Sequence, residues 1–387
     1  MDQHPAPTLP KSILVVGGCG FLGQHIIHSL LHQTTTSPPP KISVIDLNTP
    51  KNPHGDVTYH ICSITSLTDL QQIISTIKPQ VIIHTASVLP SVIPTTDADD
   101  VELFTKANVE GTDNLLECAK GEESVEVFVY TSSATILQKK ESYMVVEDAV
   151  VSEVRINVSR FDPYSSTKGI ADTLVLLAND RKPAKEGGLR TCCLRIGGMY
   201  GAGDMSLTWP AMEALRLGET RYQIGDGSKH SDFLAVENAA HAHILAMNAL
   251  LAGIKNPDAP VVDGEAFFIT DDNPMSYWAF RRKIWAHAGY IQKSEDTKII
   301  SASIVMAVAF ILEWLYLIFS LGYKQPKNLR MRKLEWVCLN RTFDTSKAKE
   351  RLGYAPEVST DEALKSAVEW ALEHQAVMGL SDEKKRM

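Results

Sequence analysis

The sequence predicts an α/β protein: a doubly wound parallel sheet followed by a smaller C-terminal α+β lobe. Two observations predict it. Short apolar runs alternate with helix-period stretches from Ser12 to Tyr130, and a glycine-rich turn joins the first run to the first helix. Strands that alternate with helices fold as right-handed βαβ units. The sheet is then parallel, and ligands bind past the carboxyl ends of its strands.

Ser12-Ile13-Leu14-Val15-Val16 is apolar enough for a strand buried on both faces. It runs into Gly17-Gly18-Cys19-Gly20-Phe21-Leu22-Gly23, a GxxGxxG spacing, and then into an amphipathic helix through Ile26, Ile27, Leu30 and Leu31. Glycine permits the tight turn and lets backbone N–H groups approach a pyrophosphate, whose charge the helix N-terminus favours. This Rossmann pattern makes Gly17, Gly20, Phe21, Leu22 and Gly23 candidate cofactor contacts.

Thr34 to Pro40 reads as a loop, and Ile42-Ser43-Val44-Ile45-Asp46 as a second strand ending in an acid. Asp46 lies 23 residues after Gly23, near the offset at which a carboxylate takes the ribose hydroxyls of NAD. Its charge would repel the 2′-phosphate of NADP, so NAD is expected rather than NADP. Val57 to Ile61 is strand three, and Ser66-x-x-Asp69 has the form of a capping box opening a helix to Lys78. Val81 to His84 is strand four, Leu103 to Lys120 is helical and Val125 to Tyr130 is strand five. At the strand ends lie His84-Thr85-Ala86-Ser87 and Thr131-Ser132-Ser133-Ala134.

Composition bounds the function. The chain has 387 residues, 44% hydrophobic and 22% charged, which suits one large globular domain or two. A net charge of -8 argues against nucleic acid as a partner. Six cysteines without CxxC spacing suggest reduced thiols in a cytosol-facing protein. His241 and His243 are two apart on an expected helix and cannot share a face as ligands, so no metal is expected. The first ten residues hold three prolines and no apolar core, and read as a loose tail.

Tyr164-Ser165-Ser166-Thr167-Lys168 carries the chemistry. Tyrosine and lysine four apart share one face of a helix. A phenol of pKa about 10 is a poor base, and a neighbouring ammonium should pull it toward neutral pH. Asp162-Pro163 reads as the helix start: an N-cap carboxylate, then proline in the first turn.

Together these motifs resemble the extended short-chain dehydrogenases/reductases. Within them the resemblance is to the 3β-hydroxysteroid dehydrogenase family and its decarboxylating sterol-4α-carboxylate 3-dehydrogenase branch. It is carried by Gly17 to Gly23, His84-Thr85-Ala86-Ser87, Asn108-Val109-Glu110-Gly111-Thr112, Val129 to Ser133, Tyr164 to Lys168, Leu194-Arg195 and Tyr200 to Asp204. It continues through Gln223 to Gly227, Asp232-Phe233, Val236-Glu237-Asn238, Gly264 to Thr270 and Arg351 to Tyr354, and covers about residues 11 to 375.

The resemblance implies that Tyr164 accepts or donates the proton, and that Lys168 holds the nicotinamide ribose and tunes Tyr164. Ser133, or its neighbour Ser132, would bond the substrate oxygen; Asn108 would steady an active-site helix or water; and Ala86 joins the cofactor contacts. Two stretches depart from the family pattern. Cys62-Ser63-Ile64 stands where many relatives bind adenine with an aspartate, and Ile196 stands where many have proline after Leu-Arg.

The implied reaction is NAD-dependent oxidation of the 3-hydroxyl of a sterol or polycyclic terpenoid, with decarboxylation where a neighbouring carbon bears a carboxylate. A ketoreductase or dehydrogenase/isomerase of terpenoid metabolism, a sugar-nucleotide epimerase and a non-catalytic NAD-sensing module are the alternatives.

After Gly197, Trp209, Met212, Leu215, Leu217, Tyr222 and Trp278 supply bulky side chains for a substrate lobe or its ordinary core. Ile299 to Tyr323 is 25 residues with Glu313 its only charge, roughly 37 Å as a helix. It can be a single span, a buried core helix, or a monotopic or re-entrant helix dipping into one leaflet. The expected division is a tail over 1–10, an NAD-binding domain over 11–196 to which 228–262 returns, a substrate lobe over 197–227 and 263–375, and a polar tail over 376–387. The expected partners are a sterol or terpenoid substrate, a membrane lipid surface and a second copy in a homodimer. The expected location is the endoplasmic reticulum membrane, with the catalytic domain facing the cytosol.

Overall fold

A computed structural model describes residues 10–32, 39–50, 52–89, 98–137, 142–145, 162–320, 326 and 329–383. Most of the expected N-terminal tail, residues 34–38 of the first loop, residues 321–323 of the apolar segment and the last four residues lie outside that set.

The first half alternates as its sequence predicts: β1 (Ser12–Val16), α1 (Phe21–His32), β2 (Lys41–Asp46), β3 (Val57–Ile61), α2 (Leu67–Ile77) and β4 (Val81–His84). Then come α3 (Ala98–Phe104), α4 (Gly111–Gly121), β5 (Val127–Ser133), β6 (Ser142–Val145), α5 (Pro163–Leu177) and β7 (Arg190–Ile196). The rest comprises β8 (Gly198–Tyr200), α6 (Thr208–Arg216), β9 (Tyr222–Ile224), β10 (Phe233–Ala235), α7 (Val236–Lys255), β11 (Glu265–Ile269) and α8 (Tyr277–His287). The chain ends through β12 (Lys298–Ile300), α9 (Ala302–Phe319), α10 (Met331–Cys338), β13 (Arg341–Phe343), α11 (Ser346–Leu352) and α12 (Thr360–Glu383).

Seven strands form one sheet in the order β11-β7-β5-β4-β1-β2-β3, every pair parallel. Alternate residues of β1 enter opposite cores. Ile13 and Val15 pack with α1 and α7, while Leu14 and Val16 pack with α2, α4 and α5. That two-sided burial is why β1 reads as a continuous apolar run. The reversal of strand order beside β1 opens a crevice at the carboxyl ends of β1 and β4.

Several boundaries differ from expectation. Ser66 precedes α2, but its hydroxyl donates to the Asp69 carboxylate at 2.6 Å instead of capping a backbone N–H. Strand five starts two residues late and runs to Ser133, so its serines stand in the strand, paired with Arg195 and Ile196 of β7. The helix expected over Leu103 to Lys120 is interrupted by a π-helical turn, Thr105–Glu110. Glu265–Ile269, counted above with the substrate lobe, is the seventh strand of the sheet, hydrogen-bonded to β7. The tail from 376 continues α12 as helix to Glu383.

The second lobe has its own core, in which Met212, Trp285, Phe280, Phe233 and Leu364 are buried. Met212 and Trp278 are core residues and Trp209 and Leu215 pack at the core's edge, whereas Leu217 and Tyr222 are half exposed.

The apolar segment begins as strand, with Lys298–Ile300 pairing β9, so its helix is 18 residues long, about 27 Å. A buried core helix is excluded: Ala309 is the only buried residue of α9, and Phe319 is 83% exposed. Glu313 accepts a hydrogen bond from the Met331 backbone N–H at 2.8 Å, at the first residue of α10. Tyr354 beyond it packs into the sheet's core and donates its hydroxyl to the Thr270 carbonyl at 2.9 Å. Both ends of α9 therefore return to one globular body, which a single span would divide.

Candidate active site

The sequence places Tyr164 and Lys168 on one turn of α5, and α5 starts as predicted. Asp162 accepts from the Ser165 N–H at 3.0 Å, and Pro163 occupies the first turn. α5 packs against β5 and brings Tyr164 to the end of that strand. There the Ser133 hydroxyl hydrogen-bonds the phenol, and Phe104 meets the tyrosine ring edge-on with centroids 6.4 Å apart. Ser133 also meets the Thr135 hydroxyl at 2.9 Å, to which Ser165 donates at 2.9 Å. Of the two serines, Ser133 is the one at Tyr164, while Ser132 is buried with its hydroxyl unpartnered.

The expected pull of the ammonium on the phenol is absent. Burial raises the Tyr164 pKa above its ordinary value, and the Ser133 hydrogen bond opposes it. Lys168 spends its charge elsewhere: Nζ donates to the Thr131 carbonyl at 2.5 Å and lies 4.2 Å from the centre of the Tyr130 ring. Lys168 is itself buried, and desolvation lowers its pKa to about 7 against the opposing charge of Asp172.

Around Lys168 the chain builds a buried polar shell. One turn further along α5, Asp172 receives a fork from Arg195, Nη2 at 2.7 Å and Nε at 3.2 Å, both side chains buried. His243 of α7 meets the Thr131 hydroxyl at 2.7 Å and the Ala239 carbonyl at 2.7 Å. Bonding the carbonyl requires a proton on Nδ1, so neutral His243 accepts from Thr131 through Nε2. His84 meets the Thr112 hydroxyl at 3.1 Å. Burial lowers the pKa of His243 to about 4 and that of His84 to about 3, with the nearby lysine charge adding to both.

Asn108 sits in the π-helical turn. It accepts from the Val88 N–H at 2.9 Å and the Ser87 hydroxyl at 3.1 Å, and donates to Thr167 of α5 at 3.1 Å. The widened turn lets one amide tie the end of β4 to the Tyr164 helix.

The glycine loop has the form of a pyrophosphate cradle. Gly17 has φ +84°, and a Cβ there would lie 2.6 Å from the Ala86 nitrogen. A Cβ on Gly23 would lie 2.2 Å from the Gly17 carbonyl oxygen. Gly20 is exposed, and the first-turn N–H groups of α1 at Phe21, Leu22 and Gly23 have no intrahelical acceptor. Asp46 at the end of β2 accepts from the Cys19 N–H at 3.0 Å and the Asn48 N–H at 2.9 Å, tying the glycine loop to the end of that strand. The residues present fit a dinucleotide.

Sequence reasoning missed three contributors. His243 was weighed only as a metal ligand; its burial on α7 opposite β5 is what gives it Thr131. The Arg195–Asp172 pair joins residues 23 apart on different elements. Asn238 donates to Asp271 at 2.8 Å and accepts from the Glu357 and Val358 N–H groups, each at 2.9 Å, latching the C-terminal segment to the sheet. Among the described residues no group of three His, Cys, Asp or Glu side chains is placed to hold a metal ion.

Comparison with known proteins agrees with this geometry. Residues 14–299 match the 3-beta hydroxysteroid dehydrogenase/isomerase family. A sterol-4-alpha-carboxylate 3-dehydrogenase, decarboxylating, of Schizosaccharomyces pombe is 31% identical over 369 residues, covering 94% of this chain and 98% of that protein. Its namesake in Saccharomyces cerevisiae is also 31% identical over 369 residues, covering 93% and 97%. The dTDP-glucose 4,6-dehydratase of Bacillus anthracis, solved in complex with NAD, superposes with a TM-score of 0.64 at 20% identity, covering 94% of this chain and 97% of that one. That likeness is one of fold, whereas the sequence match spans strands, cradle and the Tyr164 helix alike: the chain belongs to the 3-beta hydroxysteroid dehydrogenase/isomerase family.

Proposed function

We propose that the protein oxidises the 3-hydroxyl of a sterol that carries a carboxylate on the adjacent carbon, and releases that carboxylate as CO₂. The observation that supports it most is the meeting of Ser133, Tyr164 and Lys168 at the carboxyl end of β5, within a chain 31% identical to sterol-carboxylate dehydrogenases over nearly its whole length. NAD, favoured over NADP by Asp46, supplies the hydride acceptor when bound.

With the Lys168 ammonium formed, Tyr164 takes the alcohol proton as its phenolate while the C3–H bond is lost, and Ser133 hydrogen-bonds the oxygen as it becomes a carbonyl. Lys168, held on Thr131, would hold the nicotinamide ribose and supply positive charge once its ammonium is formed. The product is a β-keto acid. Its C–COO⁻ bond breaks with the electron pair delocalising onto the new carbonyl, and a proton from solvent completes the ketone. Tyr164, Lys168 and Ser133 are the proposed catalytic residues. Gly17, Gly20, Phe21, Leu22, Gly23, Asp46, Ala86 and Lys168 are the proposed cofactor contacts.

The proposal includes a membrane lipid surface as partner. Among the described residues α9 alone is long and apolar enough to cross a membrane, with mean hydropathy 2.2 and 6% of it buried. Its two ends return to one globular body, so it suits a helix lying in one leaflet. All six cysteines are free thiols, which favours a body facing the cytosol, as at the endoplasmic reticulum.

The test is a mass-resolved substrate panel with NAD, comparing 4-carboxylated with plain 3-hydroxysterols. Loss of two hydrogens together with CO₂ from the carboxylated members is expected. Oxidation of plain sterols with the carboxylated ones inert would overturn the decarboxylating reading.

A further inference from the structure

Arg341 opens β13 and is 4% exposed. Its backbone is held on both sides: the N–H donates to the His230 carbonyl at 2.8 Å, and the carbonyl accepts from the Asp232 N–H at 3.0 Å. Two residues on, past an irregularity in the pairing of β13 with β6, Phe343 packs with Ala134, the residue after Ser133. The guanidinium carbon lies 4.9 Å from the centre of the Trp336 ring. Trp336 in turn covers Gly198, where a Cβ would meet its ring at 3.4 Å. Gly198 is two residues beyond Ile196, the partner of Ser133 across the β5–β7 pair. These contacts set the guanidinium on the lobe side of the strand ends that carry the reaction.

The guanidinium is incompletely satisfied. Nη2 meets Glu335 at 3.3 Å, and that carboxylate is 32% exposed and shared with solvent. Nη1 is buried with no hydrogen-bond partner. Burial lowers the Arg341 pKa to about 10, with the Glu335 charge opposing it. An unpaired N–H on a buried cation is costly, and a carboxylate in the plane of the fork is the ligand that relieves it. Arg195, the other deeply buried arginine at the strand ends, already has its acid in Asp172. Among the described residues Glu335 is the acid in ion-pair contact with Arg341, while the buried Asp232 carboxylate beside β13 accepts from the Phe343 N–H at 2.8 Å. A single fork backed by an aromatic ring suits one acid group; a diphosphate would call for more than one cation.

We infer that Arg341 receives the substrate's carboxylate and so selects carboxylated sterols over plain ones. The inference rests on the sterol-carboxylate reading above and adds the group that recognises the acid. Trp336 holds the guanidinium plane, and Glu335 competes with the substrate for it.

The full-length enzyme with NAD is assayed on a 3β-hydroxysterol bearing a 4α-carboxylate and on the same sterol without it. Arg341→Gln should lower the ratio of kcat/KM for the two substrates about 100-fold, chiefly through KM for the acid, as for a truncated buried charge pair. Arg341→Lys, which keeps the charge but loses the fork, should recover part of that ratio. Glu335→Gln, which removes the competitor, should lower KM for the carboxylated sterol about threefold, and serves as a second probe if the arginine variants fold poorly. Equal losses on both substrates, with a KM in Glu335→Gln that is unchanged or raised, would make Arg341 a structural residue and overturn the inference while the reaction stands. Wild-type enzyme that releases no CO₂ from the carboxylated sterol overturns both.

Discussion

Lys168 Nζ donates to the main-chain carbonyl of Thr131 at 2.5 Å, and Thr131 stands two residues before Ser133 on the same strand. The lysine of α5 is thus anchored to the strand that presents the proposed oxygen-binding serine. Because His243 holds the Thr131 side chain, the anchor draws on three elements, α5, β5 and α7.

Tyr164→Phe removes the phenol and leaves the ring in place against Phe104. NADH formation should fall by about 10³-fold, the range for loss of a general base, while NAD binding by titration stays within about twofold. Undiminished turnover in this variant would exclude the tyrosine as proton acceptor.

The lysine makes stability depend on pH. Burial lowers its pKa to about 7 from an ordinary 10.5, so between those values the unfolded chain binds the proton and the folded chain does not. Stability without cofactor should therefore rise as pH increases from 7 toward 10, and the burden on the fold is greatest below 7. Lys168→Met should raise the melting temperature at pH 6.5 by about 5 °C, and by less at pH 9.5. A gap that widens at high pH contradicts this.

His243 and His84 act at acid pH. Their folded pKa values, about 4 and about 3, lie below the ordinary 6.5, so as pH falls below 6.5 the unfolded state gains protons that the folded state refuses. Stability is lost in that direction, by roughly 3 kcal/mol for His243 alone by pH 4. His243→Gln should flatten the acid limb of a urea-midpoint profile. It should also lower kcat more than it raises KM, since it loosens Thr131 and the lysine anchored there. An acid limb as steep as that of the wild type would show that other groups set it.

Arg195→Met strands the Asp172 carboxylate in the core and should destabilise the protein by about 3–5 kcal/mol. The double variant Arg195→Met, Asp172→Leu removes both charges and should regain most of that loss in denaturant titrations. If the double variant is as unstable as the single, the pair is not what the site leans on.

For α9, Phe310→Asp with Trp314→Asp places two charges on half-exposed positions. Flotation with liposomes should drop at least 100-fold, at about 2.5 kcal/mol per buried charge, with the melting temperature unchanged in solution. Unaltered flotation would move the lipid contact elsewhere.

Much of the fold is legible because its signals are local. β1 and β4 fall where apolar runs of strand length predict them, β3 falls at Val57 to Ile61 as expected, and α5 starts at the Asp162-Pro163 cap. The glycine spacing foretells the turn because only the lack of a Cβ lets Gly17 approach Ala86 and Gly23 approach Gly17. The Ser66 cap failed because its hydroxyl is turned to donate to Asp69, which takes its oxygen off the first-turn N–H groups it would have accepted from. The π-helical turn escaped notice because it preserves the helical pattern while changing which side chain turns inward.

The sequence by itself determined the parallel α/β sheet, the dinucleotide cradle and the pairing of Tyr164 with Lys168 on one helical turn. Each follows from periodicity and backbone sterics acting over a few residues. Only the tertiary structure decided which serine meets the phenol, why Lys168 turns to Thr131 instead of Tyr164, that α9 is exposed, and that Arg341 has a free edge. Those outcomes depend on desolvation and on partners from distant parts of the chain, and no local pattern encodes how far a charge will be from water.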